Sequence, residues 1–534
     1  MQYKNSKFSI YTPIILALVL AGGIFLGSRL NINKNNGKIN FKIEPNKIDL
    51  IIDLIESDYV DSVERTEIIE NTIPHLLENL DPHSVYISAK DLQHVNEPLE
   101  GNFDGIGVQF NLLNDTILVI NTISGGPSEK IGLRAGDKII LINDSLFAGV
   151  NINNQDVIKN LKGPRGTIVK VSIARAGFTE LLEFEITRDE IPLYSLDVAY
   201  MITDKIGYIK ISAFARTTYD EFTEAVKKLK DAGMEKIILD LRANGGGYLD
   251  AAINIADEFL KNKEMIVYTK GKSRPRSENL ATNKGSLENE KVVILIDTWS
   301  ASASEIVAGA IQDNDRGLII GRRSFGKGLV QEPTMFRDGS ALRLTIARYY
   351  TPSGRCIQKS YSDGNEDYNH EWIDRYENGE MENADSTVFA DSLKYYTKAG
   401  KVVYGGGGIM PDIFVPIDTV GYTSYFREIS QKALIYNFAL DYTDKHRAQL
   451  ESLTDYKLIV KHLKQKNVFN QFLKYANSKG VTSNSKEITI SGKLINAQIN
   501  AYIARNIIDN EGYYPIIKDI DKTLLKAIEV ISGE

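Results

Sequence analysis

Lys291-Val292-Val293-Ile294-Leu295-Ile296-Asp297-Thr298-Trp299-Ser300-Ala301-Ser302-Ala303-Ser304-Glu305-Ile306 changes character halfway along. Its first six residues are a short aliphatic, β-branched run, the signature of a buried strand. Small residues follow, and from Ser304 to Gln312 the apolar spacing becomes helical. A serine at such a strand-to-helix turn has an exposed hydroxyl. The first N–H groups of the helix lie beside it without intrahelical partners, ready to stabilise an anion. Ser302-Ala303-Ser304-Glu305 also fits a capping box, S-x-x-E. The stretch by itself leaves both readings open.

The same alternation extends to both sides. Ile206–Ile211 reads as a strand before a helix over Tyr219–Asp231, and Lys236–Leu241 as a strand before a helix over Tyr248–Leu260. Gly317–Ile320 is a further strand. Residues 193–416 therefore form an α/β layer domain. Residues 100–190 have another texture, of short β-rich runs between glycines: Thr116–Ile120, Lys138–Ile142 and Val169–Ile173, with one helix at Asn154–Leu161. Before them, residues 43–99 show helical stripes (Ile48, Ile51, Ile52, Ile55, then Ile68, Ile69, Ile73, Leu76, Leu77), predicting a small helical region. After about Tyr422 the pattern is helical again, so 417–534 is read as a helical C-terminal region.

The chain has 534 residues, a formal charge of −7 and both signs scattered along it. No basic stripe suggests nucleic acid. Cys356 is the only cysteine, and none of the six histidines has HExxH spacing, so neither a disulfide nor that metalloprotease motif is expected, and no metal or cofactor. Lys4 and Lys7 precede an apolar run from Ile10 to Leu26. About 20 apolar residues span a bilayer, and positive residues stay in the cytoplasm. We expect a cytoplasmic tail at 1–9, one transmembrane helix at 10–28 and a linker at 29–42, with the rest outside the cytoplasm. A cleaved signal peptide is the rival reading.

Two other passages carry chemistry. Asp240-Leu241-Arg242-Ala243-Asn244-Gly245-Gly246-Gly247 lies at a second strand-to-helix junction, where glycines let backbone amides approach a carbonyl. Gly321-Arg322-Arg323-Ser324-Phe325-Gly326-Lys327-Gly328 nearly matches a P-loop. Gly328, however, stands where a magnesium-binding Ser or Thr belongs, and a β-like segment follows. From Met201 to Tyr350 there is no histidine, so a Ser-His-Asp triad within that stretch is excluded. A neutral lysine remains as the common alternative base. Lys327, among Phe325, Leu329 and Val330, has apolar surroundings that would lower its pKa. Gln331 could aim the amine without adding a charge.

Ser302-Ala303-Ser304-Glu305, Phe325-Gly326-Lys327-Gly328 and Gln331 together resemble the C-terminal processing (tail-specific) peptidases, serine peptidases of the S41 type with a PDZ domain. The resemblance implies a crotonase-like core of ββα layers. It implies a nucleophile Ser302, a base Lys327, its orienter Gln331, and oxyanion donors at the amides of Ala303 and Gly246. The family's proline before the glycine pair is replaced here by Gly245, which leaves the donor glycine open by one position. Ala347–Arg355 and Gly407–Asp412 are also similar to family landmarks. Residues 100–190 resemble a PDZ domain, with Gly105-Ile106-Gly107-Val108 as the loop that receives a terminal carboxylate and the helix Asn154–Leu161 walling the groove. The implied partners are proteins with accessible C-terminal tails, with a homo-oligomer or an activating adaptor left open; the N-terminal run is what places the catalytic domains on the periplasmic side of the inner membrane. A non-catalytic PDZ scaffold would lack a member of the Ser–Lys–Gln set. A Ser–Lys amidase would carry its lysine upstream of the serine.

Overall fold

The computed structural model describes residues 17–22, 46–123, 125–362, 364–387 and 390–533. It divides into two units, 1–76 and 77–534. In the first, Lys47–Asp58 and Arg65–Leu77 are helices, and the Asn46 side chain caps the former by accepting from the Ile48 N–H. Helical spacing located the first helix but not its burial: Ile52 is buried while Ile48 and Ile51 face solvent. The expected transmembrane segment at 10–28 lies outside the described residues apart from 17–22, which are helical. Among the described residues no helix is long and apolar enough to cross a membrane.

In the second unit the expectation of helix up to residue 99 is corrected. Val85–Ile87 is a strand, paired antiparallel with Ala341–Tyr350, and the helix Ala89–Glu100 follows it. The reason is local. Pro82 disfavours helical backbone at Asp81, and Val85-Tyr86-Ile87 are strand formers.

The central sheet has six strands, in the order Leu196–Met201, Ile206–Ile211, Lys236–Asp240, Lys291–Ile296, Leu318–Gly321, Ile413–Phe414. The first pair is antiparallel and the rest parallel. Parallel strands are covered on both faces, hence their continuous aliphatic runs. One face packs on the helices Thr218–Asp231, Leu249–Asp257 and Ala303–Asp313 through Ile237, Leu239, Ile294, Ile255 and Val307. The other is covered by the last helix, Lys522–Ser532, through Leu524, Ala527 and Ile531 against Ile238, Val293 and Ile320. The α/β core is therefore completed by residues far beyond 416. A second, antiparallel sheet joins Val85–Ile87, Ala341–Tyr350, Met265–Lys270 and Ser277–Leu280, with Leu329–Met335 also on Ala341–Tyr350.

Residues 100–190 form a six-stranded antiparallel sheet with the helix Asn154–Leu161 as read, around Ile117, Val119, Ile139 and Val171. From Ser424 onward helices dominate, with their own core around Ile429, Phe438, Phe472 and Ile495. Leu440 and Tyr436 of that helical region pack against Leu113, Leu118 and Ile120 of the β-rich domain, and Lys138 pairs with Asp444 at 2.9 Å.

Candidate active site

Strand register brings the three chemical passages together. Asp240 pairs with Leu295, and Ile296 with Gly321, so three adjacent parallel strands end side by side. The loops leaving their carboxyl ends carry the glycine turn, Ser302 and Lys327, at the edge where open α/β sheets build sites. Backbone bonds lock the loops to one another. The Ala301 N–H donates to Asn244 O at 3.0 Å and the Phe325 N–H to Ser300 O at 2.9 Å, while Ser304 Oγ donates to Asn244 O at 2.9 Å.

Ser302 has φ 56° and ψ −112°. A residue with a Cβ rarely adopts this conformation, at a cost of about 1–3 kcal/mol, and such outliers cluster at functional sites. The helix Ala303–Asp313 starts immediately after it. Wholly buried Glu305 holds the turn. Its carboxylate accepts from the amides of Ser302 at 2.8 Å, Gly326 at 2.7 Å and Lys327 at 2.9 Å, and from Ser324 Oγ at 2.5 Å. The Glu305 arm of the expected capping box is the bond from the Ser302 amide, and the same carboxylate ties the serine loop to the lysine loop. Burial pushes Glu305 up to about 7, against the pull of these donors. On the opposite side the buried Tyr349 hydroxyl lies 2.5 Å from Lys327 O and 3.1 Å from Ser302 O.

Lys327 is half-buried, and among the described residues its amine has no hydrogen-bond or ion-pair partner. Burial lowers its pKa, Arg343 adds to the lowering, and Glu305 and Asp81 oppose it. A lysine so placed is more readily neutral than one in water, which is what a base requires.

The glycine turn is fixed from below. Fully buried Asp240 pairs with Arg242 at 2.6 Å, and Arg242 pairs with Asp521, just before the last helix, at 2.7 Å. Burial by itself would raise Asp240; Arg242 and Lys210 hold it well below the usual carboxylate range. Gly246 sits at φ +100°. A Cβ there would fall 2.7 Å from Ser302 Cβ and 3.0 Å from the Ala303 nitrogen, so only glycine lets this turn approach the serine. The Gly246 N–H, however, already donates to Asn244 Oδ1 at 2.9 Å.

Comparison with known proteins assigns three family models to the chain. Residues 205–366 match the family model of peptidase family S41, and residues 93–174 that of the PDZ domain. Residues 425–509 match a family of unknown function, DUF8443. The carboxy-terminal-processing protease of Bartonella bacilliformis is 36% identical over 351 residues, covering 64% of this chain and 80% of that protein. The chain belongs to the carboxy-terminal processing proteases of family S41. It is a serine-type peptidase with a PDZ domain. Carboxy-terminal processing protease CtpB of Bacillus subtilis is 32% identical over 319 residues, covering 59% of this chain and 65% of that one. A probable CtpA-like serine protease of Staphylococcus aureus is 32% identical over 354 residues, covering 65% and 69%.

The other residues singled out from sequence fall as follows in the peptidase. Gln331 does not bond Lys327 among the described residues; its Nε2 donates to Thr345 Oγ1 at 3.2 Å. Gly107, at φ +74°, Ile106 and Val108 line a cavity of about 330 Å³ with Phe110, Ile158 and Leu161. Gly105 lies at the end of the neighbouring strand Asn102–Gly105. Sequence reading missed the wall that Ala89–Glu100 adds to this groove. Glu97 lines it and pairs with Lys162 at 2.6 Å, and Lys162 lies 4.2 Å above the Phe103 ring. It also missed His83. Excluding histidine from Met201–Tyr350 could not reveal one arriving from outside. His83 bonds the Tyr368 hydroxyl at 2.8 Å; burial lowers it to about 4, and Lys327 pushes the same way.

Proposed function

We propose that the chain is an envelope endopeptidase that takes protein C-terminal tails into its PDZ groove and cleaves with Ser302 and Lys327. Ser302 Oγ attacks the scissile carbonyl carbon while its proton passes to the neutral Lys327 amine. The tetrahedral oxyanion is held by the Ala303 amide, whose place at the first turn of a helix leaves it without an intrahelical partner. The glycine turn supplies the second donor, which from Gly246 requires its bond to Asn244 to be shared or released. As the C–N bond breaks, Lys327 returns the proton to the leaving amine. Water then hydrolyses the acyl-enzyme by the same route, and Gln331 orients the lysine throughout.

The observation that carries this reading is a strained serine and a desolvated lysine, without a side-chain partner among the described residues, whose backbone amides share the Glu305 carboxylate. Ser302→Ala and Lys327→Arg should each lower proteolysis of a loosely folded substrate by about a thousandfold or more with melting unchanged, since arginine does not deprotonate in a protein. If Lys327→Arg retains activity, the lysine is not the base. For the groove, the adjacent Ile106, Gly107 and Val108 amides suit a terminal carboxylate beside an apolar pocket. The run Ile10–Leu26 supports a tether with the catalytic unit on the extracytoplasmic side. External protease should digest the body in spheroplasts, and alkaline washing should leave the chain with the membrane.

A further inference from the structure

Gln331 can assist a lysine base only if its amide is the right way round. Its carbonyl must face the amine and accept an N–H, because an inverted amide would compete for the lone pair that removes the serine proton. An isolated glutamine has no such preference, and its two ends are nearly the same shape. The structure supplies one through two residues outside the Ser–Lys–Gln set.

Thr345 stands opposite Gln331 on the paired strand Ala341–Tyr350. Its hydroxyl has one proton, donated at 3.0 Å to Asp81 Oδ1. A carboxylate can only accept, so the direction of that bond is fixed. Thr345 Oγ1 can then offer Gln331 only a lone pair, and the 3.2 Å contact must be the Gln331 NH₂ donating. Oε1 is left as the free end. Asp81 itself is 7% exposed and held on several sides. Its Oδ1 accepts from the amides of His83 at 2.9 Å and Ser84 at 3.0 Å, its Oδ2 accepts from Ser84 Oγ at 2.6 Å, and Ser84 Oγ accepts from the Thr345 N–H at 3.1 Å. The strand Val85–Ile87, on the same partner strand, sets the register.

We propose that Asp81 and Thr345 are positioning residues that polarise a hydrogen-bond relay and hold Gln331 with its carbonyl toward Lys327. This rests on the Ser302–Lys327–Gln331 reading. The segment before the PDZ domain then supplies part of the peptidase site.

The test is a mutant cycle on kcat, in the full chain, with a peptide substrate. Thr345→Val keeps the strand-forming shape and removes the hydroxyl. It should lower kcat about as much as Gln331→Ala does, roughly tenfold or more, with KM unmoved, and Thr345→Ser should restore it. Combining Thr345→Val with Gln331→Ala should cost nothing beyond either single change. Asp81→Ala should behave like Thr345→Val, with its fold checked by melting. If it does not fold, the Thr345 pair decides. Wild-type kcat in Thr345→Val, or losses that multiply in the double variant, would overturn the relay. Lys327→Arg retaining activity would instead bring down the reading beneath it.

Discussion

The serine turn and the PDZ groove are held in opposite ways. Around Ser302 the polar groups are spent on one another. Glu305 takes four donors, the Tyr349 hydroxyl bridges two carbonyl oxygens, and backbone bonds join all three loops. The groove is a cavity of about 330 Å³ with apolar sides, and one ion pair, Lys162 with Glu97, largely buried at its acidic end, lines it. Bond breaking needs reacting atoms fixed to within about 0.5 Å, whereas tail recognition needs room and a few amides left for an incoming chain. A strained residue persists only where its surroundings over-determine it, and of the two regions only the serine turn offers such surroundings.

The contrast breaks most severely if the tight region is loosened. Gly246→Ala puts a methyl 2.7 Å from Ser302 Cβ at a backbone angle alanine resists. Displacing the serine by about 1 Å should cut kcat about a hundredfold, with much less effect on tail binding. Separate measurements of kcat and of tail affinity check this. An equivalent change in the groove should do the reverse: at Gly107, φ +74°, valine should weaken tail binding and spare hydrolysis of a small ester.

A middle-sized effect concerns pH. Because burial lowers Lys327, the folded protein binds its proton less well than the unfolded chain, whose lysine titrates near about 10.4. Stability relative to Lys327→Met should therefore rise with pH between the lowered value and the ordinary one, as denaturant titrations at several pH values would record. In kcat/KM the same lowering should move the rising limb to lower pH than a water-exposed lysine allows. Glu305, pushed up to about 7, is a second titrating group and should be separated by comparison with Glu305→Gln.

The smallest effects belong to the groove. Amidating a substrate's C-terminus removes a charge-assisted set of amide bonds worth about 1.5–3 kcal/mol, so binding should weaken about tenfold or more. Glu97→Gln should change tail affinity only a few-fold, because the amide keeps the carboxylate's shape and can still accept from Lys162. Equal binding of free and amidated tails would remove the functional side of the comparison.

What could be read in advance follows the range of the forces involved. Ile206–Ile211 and Lys291–Ile296 were placed to the residue because a buried parallel strand announces itself in its own side chains. The serine, lysine and glycine passages were visible as local punctuation. Glu305 was legible as a cap, but its bonds to Gly326 and Lys327 span about twenty positions and leave no local trace. Asp81, His83, Thr345 and Tyr349 act across still longer separations or across a strand pair. Val85–Ile87 was lost inside a helical pattern, since three residues are too few to show a period of two. The last helix looked like more of the helical region because amphipathic spacing does not name the face it will meet.

The carboxylate of Glu305 has one further effect, on how the site opens. The amides of Ser302, Gly326 and Lys327 sit on two separate loops yet all donate to it, so exposing any of them to solvent requires giving up the same acceptor. In hydrogen exchange the three amides should then share one opening free energy, as a single cooperative unit spanning the nucleophile and lysine loops. Parting the serine loop from the lysine loop requires that event, together with loss of the bond from the Phe325 N–H to Ser300 O.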